Sequence, residues 1–156
     1  MGEGRSFNIG QMIVRPLEAA VVLTKDALVL SIDASGDLIL CVNTVTPYAI
    51  ANRSTQDKVA RTAGIVQFNT GAQTPGGIPV YRSGITELQL GSTNIAIKIG
   101  DRIICHADDD GTVNGASAEG SVADILLTVG FAEEVRGTDE GGTILTSLKL
   151  PFGGAP

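Results

Sequence analysis

The stretch "CHADDDGTVNG", residues 105–115, concentrates the residue types that most often carry chemistry in proteins. A cysteine and the single histidine of the chain, Cys105 and His106, precede three carboxylates, Asp108, Asp109 and Asp110. Thiolates, imidazoles and carboxylates are the usual metal ligands. A thiol beside an imidazole is also the pair used in nucleophilic catalysis. The stretch therefore raises two hypotheses, a metal site and a catalytic cluster.

The spacing of these residues argues against both. A calcium loop that starts at Asp108 would have Val113 at its sixth position, where the loop needs glycine. Successive side chains of a strand point to opposite faces, so Cys105 and His106 cannot both reach one ion from a regular strand. The pattern favours an exposed hairpin tip, with Asp108 and Gly111 as structural turn residues. A small-ligand or metal-binding β-barrel that uses this tip stays an alternative.

The rest of the chain contains no recognisable catalytic motif. A Gly-rich dinucleotide loop, a phosphate loop, a nucleophile elbow and paired CxxC motifs are all missing from the sequence. We therefore predict that the protein is not an enzyme, with no catalytic residues, no metal and no cofactor. Cys41 and Cys105 are far apart in sequence and are expected to be buried free thiols.

Composition restricts the class of protein further. The 156 residues are 43% apolar, which is a globular composition, and the net charge of −6 argues against nucleic-acid binding. Acidic residues concentrate after residue 86, which is compatible with one half facing a partner and an acidic half facing solvent. No apolar run approaches the ~20 residues that span a bilayer, and the first ten residues do not resemble a signal peptide. We expect no membrane association.

Alternation with a period of two dominates the chain and predicts strands separated by turn residues at intervals of about 8–12 residues. The fold class is therefore all-β, a small β-barrel or sandwich. Strands are predicted at 20–24, 27–33, 37–43, 64–69, 78–82, 86–91, 94–107 and 143–150. One short helix is an alternative for residues 54–64, and residues 121–130 fit either a helix or a buried strand.

An internal repeat explains the shape of the opening stretch. Residues 25–38 align without a gap on residues 100–113, at a shift of 75 positions, so that Asp33 falls on Asp108 and Gly36 on Gly111. Both copies predict a strand, an acidic turn with glycine at a positive φ angle, and a returning strand. The chain is therefore built from two related hairpin units, at about 20–69 and 94–150.

The N-terminal residues differ from the repeat. Residues 1–16 combine glycines and polar residues with separated apolar ones and end at Pro16, which predicts an extended arm before a single β-barrel domain at 17–150 and a tail at 151–156. Such an arm can add a strand to a partner's sheet edge, and pairing within its own barrel is the alternative. The predicted partner-binding residues are the apolar ones of the arm, Phe7, Ile9, Met12, Ile13 and Val14.

Residues 17–150 contain, in this order, a glycine–aspartate pair before a strand, an acidic turn with glycine, a "VGFAEE" strand, a Gly-Gly loop and a closing strand. This order of motifs resembles that of small head-decoration (capsid-stabilising) proteins of tailed bacteriophages and related viruses. The first copy departs from this pattern, because Lys25–Asp26 stands where the family has Gly-Asp. The matching residues are Gly100, Asp101, Ile103, Gly111, Val113, Gly130, Ala132, Glu133, Gly141, Gly142 and Leu148.

The resemblance implies a structural virion protein, made in the host cytoplasm, that binds the outer surface of the assembled capsid and stabilises it by bridging capsomers. Its implied partners are the lattice of the major capsid protein and further copies of itself, as a homotrimer. Another minor virion component, such as a tail or baseplate barrel, fits the same sequence features.

Overall fold

The computed structural model describes residues 12–18, 21–51, 78–116 and 126–150, and within them the fold is all-β, as predicted. The first five strands are β1 (Met12–Arg15), β2 (Val29–Ile32), β3 (Leu38–Leu40), β4 (Ala49–Ala51) and β5 (Ile78–Tyr81). The next five are β6 (Ile85–Gln89), β7 (Arg102–Cys105), β8 (Val113–Gly115), β9 (Thr128–Ala132) and β10 (Thr143–Leu148).

These strands form two antiparallel sheets with identical topology. The order is β1-β5-β4-β2-β3 in one sheet and β6-β10-β9-β7-β8 in the other, so each strand of the second sheet is the fifth strand after its counterpart. We call β1–β5 the first unit and β6–β10 the second unit. The repeat visible in the sequence therefore extends over five strands and includes the first and last strand of each unit.

The correspondence also holds outside the regular strands. Leu17, after β1, forms a parallel bridge with Leu38 of β3, and Leu90, after β6, forms the same bridge with Val113 of β8. Each bridge brings the two ends of one sheet together. The first bridge pairs the backbone at Leu17, beyond the end of β1, and β1 itself has β5 as its one partner among the described strands.

The strand pairing shows that the gapless alignment of the two copies is wrong by two residues for the strand before the tip. Ile32 lies opposite Leu38, whereas Cys105 lies opposite Val113. Val113 follows Leu38 by 75 positions, but Cys105 follows Ile32 by only 73. The second hairpin is therefore two residues longer at its tip. The β2 residue equivalent to Cys105 is thus Ile32 and not Leu30.

The structure contains two apolar clusters. Side chains on one face of the first sheet belong to one cluster, and side chains on its other face belong to the second cluster. The cluster inside the first unit includes Leu28, Leu30, Ala49 and Val80. The adjacent residues on the opposite face of the sheet are Val29, Ile50 and Tyr81. They belong to a second cluster, which also contains the interior residues of the second unit. The two units therefore share a core.

Strand β1 changes the predicted boundary of the arm. Met12 lies opposite Tyr81 and Arg15 opposite Ile78 in the antiparallel pair of β1 with β5. The alternative considered from sequence, pairing within the own barrel, thus applies to Met12–Arg15, and the domain includes these residues. Residues 1–11, the predicted 64–69 strand, the 54–64 helix and the 151–156 tail lie outside the described residues. The segment predicted as a strand at 20–24 has no strand at residues 21–24.

Candidate interaction surfaces

The first hairpin tip, residues 33–37, is organised by the aspartate predicted from the sequence. The Oδ1 atom of Asp33 accepts hydrogen bonds from the backbone N–H groups of Ser35 and Asp37, at 2.8 and 2.9 Å. Gly36 has a φ angle of +88°, which residues with a Cβ rarely adopt. A Cβ atom at Gly36 would meet nothing within 4 Å. This tip is a compact turn, with Ala34 and Ser35 exposed at its end.

In the second tip, residues 106–112, His106 has the position that Asp33 has in the first tip. Its Nδ1 atom accepts a hydrogen bond from the backbone N–H of Asp108 at 3.0 Å, two residues on, as Asp33 does from Ser35. Its Nε2 atom lies 3.0 Å from the carbonyl oxygen of Thr93, so Nε2 carries the proton and donates. The ring is buried beneath Gly91, where a Cβ atom would lie 2.4 Å from the His106 Cδ2 atom.

The carboxylate that fastens the second tip to its neighbouring loop belongs to Asp109. Its Oδ2 atom accepts a hydrogen bond from the backbone N–H of Ser92 at 2.9 Å, and its carbonyl oxygen accepts one from the Thr112 hydroxyl at 2.6 Å. Asp108 and Asp110 are exposed. Asp108 contributes its backbone N–H to the turn, to His106. In the part of the chain that the structure describes, no three Cys, His, Asp or Glu side chains are placed to hold a metal ion.

The second tip is inserted into the first unit at Gly111. The backbone N–H of Val29 donates to the Gly111 carbonyl at 2.7 Å, and the Gly111 N–H donates to the Cys41 carbonyl at 2.8 Å. A Cβ atom at Gly111 would lie 2.7 Å from the Leu40 side chain, and the φ angle is +80°. Glycine is required here for both reasons. Gly111 is therefore a contact residue between the units as well as a turn residue.

Cys41 and Cys105 meet at the same junction. Both are free and buried, which confirms the prediction from sequence. Burial raises the pKa of the Cys105 thiol well above its ordinary value, and the hydrogen bond and charge of Cys41 raise it further. A thiol held protonated is a poor nucleophile. The pair therefore serves the packing of the two units.

Equivalent rows of side chains cross the outer faces of the two units but have different environments. Val29 lies opposite Ile50, and Ile50 opposite Tyr81, in a row that the second unit covers. The equivalent row contains Arg102, Phe131 and Ser147. Ile50 is 0% exposed, whereas Phe131 is 39% exposed. We call these the covered row and the open row.

Arginine side chains surround one tyrosine of the first unit. Arg15 donates from Nε to the Tyr48 hydroxyl at 3.0 Å, and the Arg82 guanidinium lies 4.4 Å from the centre of the Tyr48 ring. Arg82 Nε also donates to the Tyr48 carbonyl at 3.1 Å. These contacts tie β1 and the end of β5 to the segment before β4, because Arg15 lies in β1 and Arg82 follows β5.

The residues predicted for partner binding are only partly described. Met12, Ile13 and Val14 lie in β1, at one end of the first sheet, and Phe7 and Ile9 lie outside the described residues. The sequence did not predict the open row, because the pattern around Phe131 indicates a strand but not the exposure of its side chain. The signal was available in the sequence, because residues 47–54 align on residues 128–135 and place Ile50 on Phe131.

Comparison with known proteins identified no match, either among protein-family models or among curated proteins. Within the described residues no helix is long and apolar enough to cross a membrane.

Proposed function

We propose that the protein is a structural virion component that binds the outer surface of an assembled viral capsid and stabilises the shell by bridging capsomers. Its partners in this proposal are the major capsid protein lattice and further copies of itself, as a homotrimer. The observation that carries the proposal is the position of β1 at one end of the first sheet, directly after the segment that contains Phe7 and Ile9.

The position of β1 gives this segment a route to a partner. Among the described strands, β1 is paired with β5 along one side. An end strand offers backbone donors and acceptors along its other side, and an apolar segment that continues from it can extend onto a neighbouring sheet edge. Binding only to the assembled lattice would stabilise the shell by mass action, and several contacts from one oligomer would add avidity.

The residues behind the resemblance support the proposal in a second way. The turn glycines Gly100, Gly111, Gly141 and Gly142 all have positive φ angles, between +67° and +89°. Ile103, Val113 and Ala132 are buried in the shared core. The residues that carry the resemblance to head-decoration proteins therefore include turn and core positions of the second unit.

The test is deletion of residues 1–11, which keeps all of β1. We expect the truncated protein to retain its circular dichroism spectrum but to lose cosedimentation with assembled shells of the virus that encodes it. The double substitution Phe7→Ala and Ile9→Ala should weaken binding in the same direction, and Asn8→Ala is the matched control. Wild-type occupancy by the truncated protein would contradict the role of the arm. Labelling of tails instead of shells in electron micrographs would contradict capsid binding itself.

A further inference from the structure

Two nucleophilic side chains that the proposed function does not use lie side by side between the units. Cys41 directly follows β3 of the first unit, and Cys105 is the last residue of β7 in the second unit. Both side chains are buried in the core that the units share, with exposures of 0% and 2%. A hydrogen bond joins the two thiols. The junction of the units therefore contains a pair of sulfur atoms in contact, one from each unit.

We propose that Cys41 and Cys105 are a redox modification site, at which a disulfide joins the two units when the protein is exposed to an oxidising medium. The oxidant is a low-molecular-weight disulfide such as oxidised glutathione. One cysteine thiolate attacks it and releases the first reduced thiol, and the other cysteine then displaces the second. The two cysteines lose two electrons and two protons, which leave on the two released thiols. In a reducing compartment the pair stays as two thiols. The proposal does not depend on capsid binding.

Backbone hydrogen bonds fix the relative positions of the two cysteines. The Cys41 carbonyl accepts from the Gly111 N–H at 2.8 Å, and the Cys41 N–H donates to the Val29 carbonyl at 3.0 Å. The Val29 N–H donates to the Gly111 carbonyl at 2.7 Å. Cys105 lies opposite Val113, which follows Gly111 by two residues. A disulfide requires two closely spaced backbones, and here the strands supply them before any bond forms.

Oxidation leaves no strong hydrogen-bonding group of this site without a partner. The Sγ atom of Cys41 lies 3.5 Å from the Val42 carbonyl oxygen and 3.6 Å from that of Val45, and these contacts are lost with the thiol proton. A thiol is only a weak donor, so the loss is small. The remaining neighbours of the two sulfur atoms in the shared core are apolar, and a disulfide is compatible with that environment.

Burial makes the site slow to react once the protein has folded. It raises the pKa of the Cys105 thiol, and the contact with Cys41 raises that pKa further. The attacking species in disulfide exchange is the thiolate, which this environment disfavours. A bulky disulfide also has no access to a sulfur atom that is buried. The bond therefore forms in the folded protein only through local opening of the junction, whereas a chain that folds in an oxidising medium forms it during folding.

The first test makes the thiols accessible by refolding. The full-length protein is refolded from guanidinium chloride in a mixture of reduced and oxidised glutathione, and any remaining thiols are alkylated before mass spectrometry. We expect a product that lacks two hydrogen atoms, takes up no alkylating reagent and gives a fragment in which Cys41 is linked to Cys105. Two alkylated cysteines, or glutathione attached to either cysteine, would overturn the proposal.

The second test asks whether the folded junction accommodates the bond. A cross-link between residues far apart in sequence constrains the unfolded chain, so the oxidised protein should melt about 5–15 °C above the reduced protein. Cys41→Ala and Cys105→Ala are the matched controls, because each keeps a single thiol, and the same treatment should leave their melting temperatures unchanged. An oxidised wild type that melts at or below the reduced form would refute the site, as would an equal rise in the single-cysteine variants.

Discussion

At one equivalent position, the two units adopt the same left-handed backbone conformation with different residues. The Gly100 N–H donates to the carbonyl oxygen of Ala132, and at the equivalent place the Ala27 N–H donates to the carbonyl oxygen of Ala51. Both residues have positive φ angles, +89° at Gly100 and +59° at Ala27. The Gly-Asp pair of the second unit therefore corresponds to Ala27–Leu28, and not to Lys25–Asp26 as the gapless alignment implied.

This correspondence predicts an unusually mild alanine-to-glycine substitution. Ala27→Gly relieves a left-handed conformation that costs a residue with a Cβ about 1–2 kcal/mol. It also loses a buried methyl group and gains unfolded-state entropy, which together cost about 1.5 kcal/mol. These effects should nearly cancel, so we expect the free energy of unfolding to stay within about 0.5 kcal/mol of wild type.

The control for this prediction is Ala49→Gly. Ala49 is also fully buried and lies in β4, where no strain is relieved, so we expect a loss of about 1.5 kcal/mol. Urea unfolding of the two variants measures both values. Equal losses at the two positions would show that Ala27 is not strained.

At the scale of the element, the two hairpin tips use different side chains for the same bond. Asp33 and His106 each accept a hydrogen bond from the backbone two residues on. Asp33 does so beside solvent, whereas His106 is buried and also donates to Thr93. The sequence suggested a ligand at His106, but its two ring nitrogens are both engaged in holding the longer tip.

We therefore expect unequal costs when each side chain is removed. Asp33→Ala should lower the free energy of unfolding by about 1 kcal/mol, because its bonds compete with water. His106→Ala should lower it by about 2–3 kcal/mol, because the Asp108 N–H and the Thr93 carbonyl lose a buried partner.

His106→Asn should recover part of this loss, since its Oδ1 atom can accept from Asp108 as Asp33 accepts from Ser35. Thermal unfolding monitored by circular dichroism measures all three variants. A His106→Ala cost no larger than that of Asp33→Ala would contradict the role assigned to the histidine.

At the scale of the whole molecule, the sequence predicted the repeat but not its extent. The acidic turns and their glycines were recognisable because turn chemistry is local: Gly36 and Gly111 need positive φ angles whatever surrounds them. The pairing of β1 with β5 was not recognisable, because the partners are separated by more than sixty residues and share no residue pattern with β6 and β10.

The covered row was hidden from sequence analysis for a related reason. Ile50 and Phe131 occupy equivalent places and are both apolar, so their side chains alone do not tell which one is buried. The difference arises from the arrangement of the units, in which the tip that is longer by two residues bonds to the first unit at Gly111. A two-residue difference in the length of the tip does not change the alternating pattern of the strands, because it keeps every side chain on the same face of the sheet.

The shared core predicts that the two units unfold together. Ile50 belongs to the first unit but is buried among residues of the second. Ile50→Ala should therefore cost about 2–5 kcal/mol, as expected for a truncated core side chain. The loss should appear equally in the hydrogen exchange of both sheets, and calorimetry should record one transition. Ile99→Ala, at a 66% exposed isoleucine, is the control and should change stability by no more than about 0.5 kcal/mol. Faster exchange confined to β1–β5, or a second calorimetric transition, would show instead that each unit folds by itself.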